Sequence, residues 1–151
     1  MKIAEALQER ASLNSKLDQL AQSINDNALV QEDETPDLDV AELLREYEAA
    51  ADSLRVLMGR INMTNCTVKN ASGETMTQLL ARRDVLRQKL RTYQDLQNSL
   101  GNRTRRASRS EIKILAAVKA SDIKKEVDRL SKEYRLLDNE IQGLNWQYEL
   151  L

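Results

Sequence analysis

Residues 122–144 read DIKKEVDRLSKEYRLLDNEIQGL. Ile123, Val127, Leu130, Tyr134, Leu137, Ile141 and Leu144 recur in this stretch at alternating steps of four and three. That spacing sets an apolar seam along one side of an α-helix. Three earlier segments repeat the pattern. Ile3, Ala6, Arg10, Leu13, Leu17, Leu20 and Ile24 form the first seam. Val40, Leu43, Tyr47, Ala50, Leu54, Leu57 and Ile61 form the second, and Leu79, Arg83, Leu86, Leu90, Tyr93, Gln97 and Leu100 the third. The expected fold class is therefore all-α. Four long amphipathic helices, at about 2–25, 38–64, 76–100 and 122–144, form a single helical domain over 1–151. They pack as a helical bundle or as paired antiparallel coiled-coil hairpins.

Composition agrees. Apolar residues make up 41% of the 151 and charged residues 31%, the profile of long amphipathic helices. Four Gly and one Pro leave few interruptions. With four Tyr, one Trp and no Phe, the core must come from Leu, Ile, Val, Ala and Met. Each helix would be about 35–39 Å long at 1.5 Å per residue, and matched lengths favour side-by-side packing. An isolated two-helix hairpin buries too little apolar surface to offset ordering its backbone at about 1–2 kcal/mol per residue. Four helices together share a core, and the apolar flanks of the second and third helices could serve further packing. Leu44, Ala51 and Met58 widen the second seam beyond the needs of one neighbour.

The connections are marked by local chemistry. Asn25-Asp26-Asn27 ends the first helix, because these side chains compete for backbone groups. Residues 28–36 form an acidic linker closed by Pro36, and Asp37 or Asp39 suits the positive end of the second helix. Thr67-Val68-Lys69 and Glu74-Thr75-Met76 can pair as a small hairpin across 70–73. Thr75 with Gln78 makes a capping box for the third helix, and Gly101 sits where its C-terminal cap belongs. A basic loop at 102–110 follows. In Glu111–Lys119 apolar residues alternate, which predicts a strand or extended segment paired with Leu29–Gln31 or with another subunit. Ser121 then caps the fourth helix. Beyond Leu144, Trp146 is expected to anchor the tail on the helices.

The formal net charge of −1 sets no global field for nucleic acid or acidic membranes. Charge is uneven, however. Residues 31–52 hold nine acidic residues against Arg45, and residues 82–113 hold ten basic against three acidic. Arg103, Arg105, Arg106 and Arg109 form a candidate site for an anion or a partner. The loop has no interleaved aromatics, which disfavours nucleic acid. Absence of His removes His-based triads, His-ligated zinc and the Glu-x-x-His di-iron pattern. No Gly-rich phosphate loop is present, and a single cysteine, Cys66, gives neither an intrachain disulfide nor a Cys-based zinc site. No catalytic, cofactor-binding or metal-ligating set emerges, and no small-molecule substrate is evident. The opening residues do not read as a signal peptide, and no apolar run is long enough to span a membrane. A cytoplasmic protein is expected, so the four Asn-x-Ser/Thr sequons at Asn62, Asn65, Asn70 and Asn102 count as chance matches.

Several runs resemble the septicolysin-like family of small bacterial helical proteins. They are Met1–Leu7, Arg60-Ile61-Asn62-Met63-Thr64-Asn65, Leu80–Arg87, Ser108-Arg109-Ser110-Glu111-Ile112-Lys113 and Asn145-Trp146-Gln147-Tyr148-Glu149-Leu150. The resemblance implies a helical fold of unestablished function, and the family name suggests a membrane-active cytolysin. It carries over no catalytic or cofactor residues. The residues themselves favour a non-enzymatic structural or interaction protein acting as a homo-oligomer. Cytolysis and phosphate or nucleic-acid binding through the Arg loop are the alternatives.

Overall fold

A computed structural model describes residues 1–102 and 114–151. Its element order is α1 (Ile3–Asn27), α2 (Val40–Thr67), α3 (Met76–Gly101) and α4 (Ala120–Gln147). All four expected helices are present, the described residues contain no strand, and the helices pair as α1 with α2 and α3 with α4. This pairing is consistent with an all-α helical bundle. The chain divides into two compact units. One holds Met1–Val68 and Leu144–Leu151, the other Lys69–Gly143, so α4 contributes residues to both.

The first unit packs α1 against α2. Ile3, Ala6, Leu20, Ala50, Leu57 and Ile61 are buried, all of them seam positions. Arg10, on the same seam, is exposed, which takes its charge to water rather than into the packing. Asn27 closes α1 in the expected way: its Nδ2 donates to the Ser23 carbonyl at 2.9 Å, and its Oδ1 accepts the Leu38 N–H at 3.1 Å. Asp39 caps α2, accepting the Ala41 N–H at 2.9 Å.

The two ends of this unit's chain are knit together. Ile3 N–H donates to the Tyr148 carbonyl at 3.1 Å, and Leu150 N–H donates to the Met1 carbonyl at 2.9 Å. Leu150 is buried in a cluster with Ala6, Leu57 and Ile61. Thr64, fully buried on α2, donates its hydroxyl to the Arg60 carbonyl at 2.8 Å and accepts the Leu151 N–H at 3.1 Å. Both hydrogen-bonding capacities of that hydroxyl are used, so its burial carries no desolvation penalty left unpaired.

In the second unit, Leu79 and Leu86 of α3 are buried, as are Val127, Leu130, Leu137 and Ile141 of α4. The Thr75–Gln78 capping box forms as expected. Thr75 N–H donates to Gln78 Oε1 at 2.8 Å, and Gln78 N–H donates to Thr75 Oγ1 at 3.3 Å. The small hairpin also forms, reduced to one antiparallel bridge between Lys69 and Thr75.

Other expectations are corrected. Gly101 is the last residue of α3 and Asn102 is the cap, with right-handed φ −83°. Lys119, not Ser121, precedes α4: its carbonyl accepts from Asp122 and Ile123, which leaves Ser121 inside the first turn. Of the predicted strand, 111–113 lies outside the described residues, and 114–119 forms no ladder with Leu29–Gln31 or any other described residue. Ile114, Leu115 and Val118 are all exposed, so the alternating pattern has no buried face to stabilise a strand. Leu44 and Met58, beside the second seam, remain 46% and 44% exposed within one chain.

Candidate functional site

Two groups of side chains in the second unit bring charge and apolar surface together. The first gathers around the α2–α3 turn. Asn70 is buried, and its Oδ1 accepts the backbone N–H groups of Ser72 at 3.1 Å and Glu74 at 2.9 Å. Gly73 takes the left-handed φ of +84° that this tight reversal needs. On its other side Asn70 donates Nδ2 to Glu140 Oε1 of α4 at 2.9 Å. Arg82 on α3 completes the group: its Nη1 donates to both oxygens of Glu74, at 2.8 and 3.1 Å, and its Nη2 lies 3.9 Å from Glu140. Chemically this is a clasp that ties the turn to α3 and α4, with its carboxylates already hydrogen-bonded.

The second group is a groove along the α3–α4 pair. Ala81, Val85 and Leu86 form its apolar floor, and Arg82, Lys89 and Glu133 line its edges. On α4, Arg129 reaches along the helix to carboxylates one turn away on either side: Glu126, at 2.6 and 3.0 Å, and Glu133, at 2.9 Å. The hydrogen bonds from Arg129 hold the Glu126 carboxyl below its ordinary value, opposed by partial burial and aided by the charges of Arg129 and of Lys89. Lys89 thus adds a charge from α3 to the α4 row. Arg83, a charge on the α3 seam, is placed by Asp138 of α4, 3.2 Å from its Nη1.

Arg103, Arg105, Arg106 and Arg109 lie outside the described residues. Trp146 stands in the last turn of α4 and is 55% exposed. Leu150 does the anchoring expected of Trp146. The seam itself held the signal: Leu137, Ile141 and Leu144 continue by a step of four to Tyr148, which leaves Trp146 off the apolar face. Sequence reasoning also missed the Asn70 clasp. Its only trace was the Asn70–Gly73 reversal, since the partners Arg82 and Glu140 are distant in sequence.

The model of the family described as "Family of unknown function (DUF6847)" matches residues 10–150. The chain belongs to DUF6847. That description carries no septicolysin-like name. Among solved structures, this DUF6847 chain is similar to one titled as the crystal structure of a functionally unknown conserved protein from Corynebacterium diphtheriae. The two are 41% identical, with a TM-score of 0.96 over 100% of this chain and 99% of that one. No curated protein matches. Among the described residues no group of His, Cys, Asp and Glu is arranged to hold a metal ion, and no helix is long and apolar enough to cross a membrane.

Proposed function

We propose that this DUF6847 protein is a non-enzymatic, cytoplasmic structural or interaction protein that acts as a homo-oligomer of helical hairpins. The observation that supports the reading is the apolar surface that the paired helices leave uncovered. On α2, Leu44 and Met58 stand two heptads apart beside the buried seam, and each is close to half exposed. Val56 and Met63, one heptad apart, are 49% and 64% exposed. On the α3–α4 pair, Val85 and Leu136 are exposed in the same way. On α2, heptad spacing separates these residues from the scattered apolar side chains common on monomers, because a heptad repeat presents a continuous stripe to a neighbour.

Light scattering on the purified protein over a concentration series tests this. The expected result is a mass of two or more chains that falls towards the 17.3 kDa of one chain on dilution. A single-chain mass at every concentration overturns it. Dye release from lipid vesicles by the same preparation would replace it with the membrane-active alternative. Salt-sensitive retention of nucleic acid that disappears in Arg105→Ala/Arg106→Ala would replace it with the phosphate-binding one.

A further inference from the structure

The α3–α4 face carries its charges in two stripes, each flanking one exposed apolar residue. On α3, Val85 stands between two cations on one helical face, Arg82 three residues before it and Lys89 four residues after it. On α4, Leu136 stands between two anions at the same spacing, Glu133 three residues before and Glu140 four after. Arg82, Val85 and Lys89 share the groove with Glu133, and Arg82 lies 3.9 Å from Glu140. The two stripes therefore run side by side in opposite directions, cation–apolar–cation against anion–apolar–anion. Val85 is 51% exposed and Leu136 57%.

We infer that this face is the contact between two copies of the chain, packed about a two-fold axis parallel to α3 and α4. The inference rests on the homo-oligomer reading and names its surface. Such an axis lays α3 of one copy over α4 of the other. Val85 then meets Leu136 of the partner subunit, Arg82 meets the partner's Glu140 and Lys89 meets the partner's Glu133. Each contact occurs twice, as an isologous interface requires. A two-fold axis across the helices instead sets α3 on α3, cation on cation, and like charges facing each other are unfavourable. The charges thus select one dimer among the packings that the two apolar residues alone would allow. They also allow self-recognition without net charge, in keeping with a chain whose formal charge is −1.

The test uses the two apolar residues, since both are more than half exposed and their replacement leaves the hairpin core intact. In Val85→Glu the new carboxylate faces an anionic stripe. In Leu136→Lys the new ammonium faces a cationic one. Each variant alone is expected to dissociate about 100-fold more readily than the wild type, because the introduced like-charge contacts occur twice. Mixed together, the two variants are expected to form a heterodimer. In it the carboxylate introduced by Val85→Glu in one copy pairs with the ammonium introduced by Leu136→Lys in the other, and the second contact stays native. Far-UV circular dichroism checks that each variant is folded, and light scattering reads the mass. A wild-type oligomer whose mass neither substitution changes overturns this face and leaves the homo-oligomer reading in place. Folded monomeric variants that stay monomeric when mixed overturn the two-fold placement. A wild type that is monomeric throughout overturns both readings.

Discussion

Glu126, Arg129 and Glu133 sit at steps of three and four on α4, so one guanidinium serves two carboxylates without leaving its own helix. Exposed pairs of this kind contribute little to stability, since water screens them. Their effect is read more clearly in the titration of Glu126. Its carboxyl is held low in the folded chain, with the hydrogen bonds from Arg129 as the largest cause. The folded value is below the unfolded one. The pair therefore favours the folded state above the ordinary carboxylate value and loses that contribution as the pH falls through the folded value. Arg129→Gln removes the hydrogen-bonded cation, and the Glu126 carboxyl should then titrate at higher pH. An NMR titration of the Glu126 side-chain carboxyl carbon in both proteins measures this, and an unchanged midpoint would assign the shift to something other than Arg129. Nothing in the sequence ranked this triplet above other charged triplets on the helices. Helical spacing brings many Glu and Arg residues within reach, and only the geometry selects which ones pair.

At the scale of elements, what was legible followed from local rules. The helices could be read because each seam runs through seven positions. The Thr75–Gln78 box and the Asp39 cap could be read because they involve residues within three of each other. Local rules failed where a distant neighbour or the lack of one decided the outcome. The alternation in Ile114–Val118 has the period of a strand, but no described residue of the chain pairs with it. Trp146 has the size of an anchor, yet α4 runs through it to Gln147 and turns it outward. Gly101 resembled a left-handed cap, while that conformation is taken by Gly73. Gly73→Ala tests this last assignment. No atom lies within 4 Å of the added Cβ, so the cost comes from the backbone alone. A left-handed alanine is disfavoured by about 1–2 kcal/mol, and urea unfolding should show a loss of that size. Gly73→Asn should lose less, since asparagine tolerates the left-handed region. Equal stability of all three proteins would mean that the turn reorganises around the substitution.

The division of the molecule into two units has an energetic consequence that Leu150 exposes. This residue is near the end of the sequence, where a side chain is often free, yet it is 8% exposed and packs on Ala6, Leu57 and Ile61. Around it the backbone of residues 148–150 is hydrogen-bonded to Met1 and Ile3. The chain thus closes its first unit with its last residues, and no local pattern at 145–151 could have shown which distant seam they complete. Removing the side chain beyond Cβ in Leu150→Ala should cost about 2–3 kcal/mol, the lower part of the range for a buried leucine. Because Ala6, Leu57 and Ile61, on which it packs, belong to the first unit, the loss should appear there as easier opening. Amide hydrogen exchange at Ile3 and Leu57 should accelerate about 30-fold or more, the factor that corresponds to about 2 kcal/mol. The amides of Leu86 and Leu130, buried in the second unit, should change much less. Equal acceleration in both units would show instead that α4, which contributes residues to each, makes them open as one cooperative whole.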